Sequence, residues 1–287
     1  DLKKAEELMS DFKSPAYASK YAAQALLAKV YMYMSGTFEN PNKEYAQLSY
    51  NYANEVIESN QFSLLSRSTF MTYNELAPDA ASQTETIFAV KFIASDWDDW
   101  GSPLGSMYAE IDGQGWGEVY ASAKYMDLLH ETGKNTDARE AFIHPQYKKN
   151  DAGDQIPAFR FVANLYTDGK ISGYVYRQGE TKEVGGKLIA TVDDEEYTLT
   201  PVDVDNKRYS ISYKGKTYVG DYDYLMLESQ GNPKFYSYKC SKQEGYPHLY
   251  SPVISRLGEL YLIRAEASAK LYKSISRFEY RSYPFLT

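Results

Sequence analysis

The sequence predicts a mainly α fold, built on tetratricopeptide-like helical hairpins with a loop-rich ligand face and a β-rich insertion. Three observations predict it. Ser14 to Leu65 carries two helical stripes in tandem, and Asp96 to Tyr120 is a loop by composition. From about Phe159 to Tyr224 the hydrophobic period changes from helical to two. On this reading residues 1–287 form one domain, and the β-rich insertion lies within it at 160–235.

The chain opens DLKKAEELM, the end of an amphipathic helix in which Leu2, Ala5 and Leu8 align. It starts inside that helix and without an initiator methionine, so it reads as a piece of a longer precursor from which a targeting segment has gone. Ser14-Pro15 and Asn40-Pro41 each set a capping side chain before a proline, the favoured order at a helix start. They predict helices over 14–35 and 42–59. In the first, Tyr21, Ala25, Ala28 and Met32 share a face; in the second, Tyr45, Leu48, Tyr52 and Val56 do. Ala46 and Ala53 lie on the adjoining face, where small side chains let another helix approach closely. Neither helix buries its stripe alone, so the two read as a hairpin of tetratricopeptide type.

Glu85 to Ile93, rich in β-branched and aromatic residues, predicts a strand. A glycine- and tryptophan-rich loop follows. Helix returns over Ala121–Glu131, with Tyr125, Leu128 and Leu129 on one side and Gly133 as its stop. Asp168-Gly169 and Lys214-Gly215 are hairpin turns, and Tyr209, Ile211 and Tyr213 alternate between them. A last helix over Val253–Tyr272 carries the stripe Leu260, Ile263, Ala267 and Leu271. No second copy of the helical hairpin is visible, which argues against a long solenoid.

Composition excludes several classes. The 31 basic and 39 acidic residues leave a net charge of −8 without long runs, a poor match to nucleic acid, which needs a basic patch. Cys240 is the only cysteine, so no internal disulfide forms. No stretch approaches the ~20 apolar residues of a membrane span. His130, His144 and His248 have no metal-ligand spacing. Asp96 to Gly101 begins like a calcium loop, but Trp100 and Met107 stand where oxygen ligands are required. A different calcium site on Asp96, Asp98 and Asp99 stays open. The glycines at 113, 115 and 117 do not make a dinucleotide fingerprint, and neither a phosphate loop nor a nucleophile elbow occurs. No cofactor is expected.

What remains is aromatic. The chain has 29 tyrosines and 12 phenylalanines, and its 3 tryptophans all fall in one passage. There Trp97, Trp100, Tyr108, Trp116 and Tyr120 are interleaved with Asp96, Asp98, Asp99 and Glu110. Flat aromatic faces stack on the C–H faces of sugar rings, and carboxylates accept hydrogen bonds from the hydroxyls. Trp97, Trp100, Tyr108 and Trp116, with Asp98 and Asp99, are therefore the candidate ligand-binding residues. The competing reading, in which a tryptophan pins the loop to the helical body, is strongest for Trp116, nearest the next helix.

Five segments, taken in order, resemble the SusD/RagB family of Bacteroidota surface nutrient-binding lipoproteins. SKYAAQALLAKVYMYMSG with YANEVIESNQFSL resembles the family's tetratricopeptide pair, and ETIFAVKF its strand. GQGWGEVYASAKYMDLL resembles its glycine-tryptophan passage, and TDAREAF, with Asp137 and Arg139, its Asp-x-Arg element. SPVISRLGELYLIRAEASAK resembles its late helix, with Arg256, Glu259, Ala265 and Glu266 in the matching places. Residues 160–235 match poorly, and the tail SISRFEYRSYPFLT does not resemble the helix that usually follows. The resemblance implies a SusD-like fold and a non-enzymatic binder of oligosaccharide or polysaccharide. It implies a place at the outer face of the outer membrane, as the lid of a SusC-like, TonB-dependent transporter in polysaccharide utilisation. Membrane contact would then be through a lipid anchor absent from this chain. Two other readings stay open: a peptide-binding relative or tetratricopeptide-type adaptor, using a concave helix face with Tyr33 and Tyr50, and a glycoside hydrolase. No acid pair has a distinctive context to favour the hydrolase.

Overall fold

The computed structural model describes residues 1–93, 101–131 and 137–272. The chain divides into two units, Asp1–Asp99 with Tyr250–Thr287, and Trp100–Leu249. The first holds α1 (Leu2–Leu8), α2 (Lys20–Met34), α3 (Lys43–Glu58), the one-turn α4 (Arg67–Phe70) and β1 (Thr86–Ala89). The second begins with α5 (Pro103–Tyr108), α6 (Ala123–Leu129) and β2 (Ile143–Pro145). Seven strands follow: β3 (Pro157–Thr167), β4 (Lys170–Val184), β5 (Lys187–Val192), β6 (Glu195–Thr198), β7 (Thr200–Asp203), β8 (Arg208–Tyr213) and β9 (Lys216–Tyr224). Short strands β10 (Glu228–Ser229), β11 (Asn232–Pro233) and β12 (Phe235–Ser237) come next in the second unit. Then β13 (Val253–Arg256) and α7 (Leu257–Leu271) complete the first.

The expectation of a mainly α protein is overturned. Among the described residues, seven α-helices share the chain with a seven-stranded sheet. Helical stripes dominate the two ends of the sequence, whereas the strands of the middle show few apolar runs. β4 reads KISGYVYRQGETKEV and β6 reads EEYT, because most of their positions face water.

In the helical unit, Ser19 caps α2 by accepting from Ala22 N at 3.3 Å, and Asn42 caps α3 by accepting from Tyr45 N at 3.1 Å. The serine and prolines that suggested earlier caps serve turns: Ser14 Oγ accepts from Ala16 N, and Pro41 bridges to Gly36. Three helices pack through small side chains. Ala22, Ala25 and Ala28 of α2 share a core with Ala53 and Val56 of α3 and with Leu257, Leu260, Ile263 and Ala267 of α7. Ser49 Oγ donates to Ala28 O at 2.7 Å, a side-chain bond to a neighbouring helix backbone that a close approach permits. The buried face of α3 is therefore Ala46, Ser49, Ala53 and Val56, rotated from the expected tyrosine stripe. Tyr45 and Tyr52 stand at its edge, with ring centroids 5.9 and 5.8 Å from that of Tyr31.

β1 pairs antiparallel with β13, setting Thr86 against Arg256 and Ala89 against Val253. The helix expected from Val253 accordingly starts at Leu257. Buried Glu85 fixes that start: Oε1 accepts from Gly258 N at 3.1 Å and Oε2 from Leu65 N at 3.2 Å. A carboxylate in the first turn is where the helix dipole favours it.

In the second unit the sheet order is β6-β5-β4-β3-β9-β8-β7, antiparallel throughout. The two edge strands, β6 and β7, are consecutive, with Leu199 alone between them. A segment that pairs with β5 before Leu199 and with β8 after it closes the sheet on itself. Phe159, Phe161 and Ala163 of β3, Ala190 and Val192 of β5, and Ile211 and Tyr213 of β8 fill the interior. Burying each phenylalanine contributes about 1.5–3 kcal/mol. Asp168-Gly169 and Lys214-Gly215 turn their hairpins with both residues at positive φ, as a type I′ turn requires, and Gly185-Gly186 and Asp193-Asp194 do the same.

Asp221 of β9 sits in register between Arg160 of β3 and Arg208 of β8. Arg208 Nη1 donates to Asp221 Oδ1 at 2.8 Å, and Arg160 Nη2 donates to Asp223 Oδ2 at 2.7 Å, with all four side chains buried. α6 buries Met126 and Leu129 and leaves the expected Tyr125 and Leu128 exposed, while Gly133 lies outside the described residues. At its C-terminal end His130 joins the charge network, Nδ1 2.7 Å from Asp221 Oδ2 and Nε2 2.8 Å from Glu140 Oε1. Burial opposes a charge on His130, but the bonds to Asp221 and then Glu140 outweigh it, and its pKa is pushed up to about 8. Burial would raise the Asp221 carboxyl; His130 and the arginines hold it well below the usual carboxylate range instead.

Candidate functional site

Of the six residues expected to form the site, Trp97, Asp98, Asp99 and Trp100 lie outside the described residues, as does Asp96. Tyr108 and Trp116 are both in the second unit, and the structure brings their segments together. α5 is anchored first. Ser102 N donates to His248 O at 2.7 Å, and Ser106 Oγ, fully buried, lies 2.7 Å from His248 Nδ1. After α5 the chain turns at Asp112-Gly113 and returns along the same helix. Trp116 N and Gly117 N donate to Ser106 O at 2.7 and 3.1 Å, and Glu118 N and Val119 N donate to Met107 O at 2.9 and 2.8 Å. Carbonyls at the C-terminal end of α5, which have no partner within the helix, thus hold the returning segment. Tyr108 ends α5, half-buried.

Two glycines set the position of Trp116. Gly115 has φ +88°, and a Cβ there would stand 2.2 Å from Ala109 O. Gly117 has φ +54°, and a Cβ there would stand 2.7 Å from Tyr236 Oη. Neither place admits a side chain without moving the loop. The main chain therefore supplies the anchoring that a pinned indole would, and Trp116 is left 47% exposed.

Three neighbours were not singled out by the sequence. β12 pairs with β2, which sets Tyr236 opposite His144, and the His144 ring stacks on Tyr238 at 4.6 Å between centroids. Lys242 Nζ stands 5.4 Å from the centroid of the Tyr238 ring. Burial, then Glu110 and Tyr120, raise the Tyr236 hydroxyl, and burial with Asp112 raises that of Tyr238. Burial and Lys242 lower the His144 imidazole. Both phenols and the imidazole are thus neutral at neutral pH, beside the carboxylates of Glu110 and Asp112. The available signal was the aromatic alternation in Phe235-Tyr236-Ser237-Tyr238, masked by the turn residues around it.

Aromatic faces, neutral hydroxyls and carboxylates together can hold a ligand that is apolar on one face and rich in hydroxyls at its edge. Asp137 acts locally: Oδ1 accepts from Arg139 N and from Arg139 Nε, both at 2.9 Å, capping the 3-10 turn over 138–142. Among the described residues no group of three or more His, Cys, Asp or Glu is placed to hold a metal ion.

The sequence profile of the SusD family matches residues 84–275. Among solved structures, a SusD superfamily protein from Bacteroides thetaiotaomicron is similar at a TM-score of 0.52 and 19% identity, over 96% of this chain and 42% of that one. One from Parabacteroides distasonis is similar at 0.53 and 15% identity, over 96% of this chain and 45% of that one. This chain spans less than half the length of either. A structure solved with a xylogluco-oligosaccharide is less similar, at a TM-score of 0.46 and 19% identity, over 93% of this chain and 43% of that one. No curated protein matches. The profile takes in β1, the aromatic loop, the closed sheet and α7, more than half of the sequence, and the chain belongs to the SusD family.

Proposed function

We propose that this chain is part of a cell-surface glycan-binding protein of an outer-membrane nutrient-uptake complex, which delivers oligosaccharide to a SusC-like, TonB-dependent transporter. Its role is binding and not catalysis. The observation that carries this reading is Trp116, a half-open indole on a loop held by main-chain bonds to Ser106 and Met107. A loop whose main chain is fixed in advance loses little freedom when a sugar stacks on its ring. Tyr108 ends the helix to which this loop is bonded, and Glu110 and Asp112 supply acceptors beside Tyr236 and Tyr238. On this reading Trp97, Trp100, Asp98 and Asp99 also contact the ligand. Membership in the SusD family supports the ligand class and the place at the outer membrane. Attachment would be through a lipid anchor; among the described residues no helix is long and apolar enough to cross a membrane. Affinity electrophoresis of the intact protein through a panel of polysaccharides tests the reading. Retardation by at least one glycan is expected, and passage through all of them unretarded would sink it.

A further inference from the structure

The helical unit holds a cavity of its own. About 320 Å³ opens between α2 and α7, over an apolar floor that includes Met32 and Ile263. Two acid–base pairs line it, one bridging the helices and one within α7: Lys29 Nζ of α2 lies 2.7 Å from Glu259 Oε1 of α7, and Lys270 Nζ lies 2.9 Å from Glu266 Oε1. Tyr33 lines the same cleft and is 82% exposed.

The hydrogen-bonding capacity of these groups decides what they can hold. The buried ammonium of Lys270 also donates to Ser35 Oγ at 3.0 Å and to Gly36 O at 2.8 Å, which with Glu266 uses its three hydrogens. Lys29 is paired with Glu259 and keeps further N–H donors, and both carboxylates keep lone pairs. The two lysines and two glutamates sum to no net charge. A charged ligand would shed its water there and meet no matching counter-charge. A neutral, hydroxyl-rich ligand is better served, because its hydroxyls donate to the carboxylates and accept from Lys29. Its C–H faces would rest on Met32, Ile263 and the Tyr33 ring. The volume is at the low end of ligand pockets, about 300–1,000 Å³, which suits one or two sugar rings and not a long chain.

We propose that the cleft between α2 and α7 is a saccharide subsite for a neutral mono- or disaccharide unit, with Tyr33 as its stacking face. It draws no residue from the Trp116 loop, so the two sites hold or fail separately.

The test is methyl NMR on the intact protein, labelled at methionine and isoleucine. The probes are maltose, cellobiose, xylobiose and lactose, with digalacturonate as the anionic control. A neutral disaccharide at millimolar concentration is expected to shift the Met32 and Ile263 methyl resonances, and to do so equally in Trp116→Ala. Tyr33→Ala removes an exposed ring without touching the core and should weaken that binding about tenfold. Lys29→Met, which removes only the free donor and its pair, should weaken it as well. The subsite is overturned if no neutral disaccharide moves these methyls, if digalacturonate binds as well, or if Tyr33→Ala and Lys29→Met leave the shifts unchanged.

Discussion

Replacing His130 by glutamine perturbs the charge network that ties α6 to the closed sheet. In an unfolded chain the imidazole titrates near 6.5, about the ordinary value. In the fold its pKa is pushed up to about 8 by Asp221 and Glu140, against the effect of burial. The folded protein therefore keeps a proton that the unfolded chain releases, a difference of about 2 kcal/mol. That stabilisation is present in full below about pH 6.5 and is lost as the pH rises through about 8. Arg160, which donates to Asp223, keeps its charge over the same range. Urea melts between about pH 6 and pH 9, with amide exchange on β8 and β9 to report on this unit, give the measurement. Wild type should lose about 2 kcal/mol more than His130→Gln across that window. Equal losses in the two proteins would refute the assignment of a stabilising proton to His130. At the acid end the sign reverses. Asp221, held below the ordinary carboxylate range, adds stability that is present above about pH 4 and lost on acidification.

Two further outcomes follow from the loop and from the start of α7. Gly117→Ala would place a Cβ 2.7 Å from Tyr236 Oη at φ +54°, so a loss of about 1–2 kcal/mol in a urea melt is expected, together with weaker glycan binding as Trp116 moves. An unchanged midpoint and unchanged binding would show that the loop does not need this backbone. Glu85→Ala removes both acceptor oxygens at Gly258 N and Leu65 N and should cost about 1–3 kcal/mol in the helical unit. Glu85→Gln, which keeps one acceptor oxygen, should recover part of that loss, and no difference between the two variants would count against the capping role.

Periodicity gave away the buried side of α2, where Ala25, Ala28 and Met32 lie as expected. The helix starts were misread because Ser14-Pro15 and Asn40-Pro41 are turn signals as well as capping signals, and the caps are Ser19 and Asn42. On α3 the small residues, not the tyrosines, turned inward, since Ser49 and Ala53 let the backbones meet while a tyrosine would hold them apart. Two hairpin turns were readable from Asp-Gly and Lys-Gly. Closure of the sheet was not, because it depends on one segment pairing with β5 before Leu199 and with β8 after it, and long-range pairing leaves no local mark. At the site, Trp116 and Tyr108 stood out by residue type. Tyr236, Tyr238 and His144 come together through the pairing of β2 with β12, two segments far apart in sequence. His130 read as an ordinary histidine for the same reason, its partner Asp221 lying on a distant strand.

The measurement that bears most directly on the glycan-binding claim is isothermal titration of intact wild-type protein and Trp116→Ala with the glycan that retards the protein most. An exposed tryptophan acting as the main stacking platform should contribute about 2 kcal/mol, so the variant is expected to bind roughly thirtyfold more weakly at an unchanged urea midpoint. Equal affinity in the two proteins, or no heat with any glycan, would contradict the account.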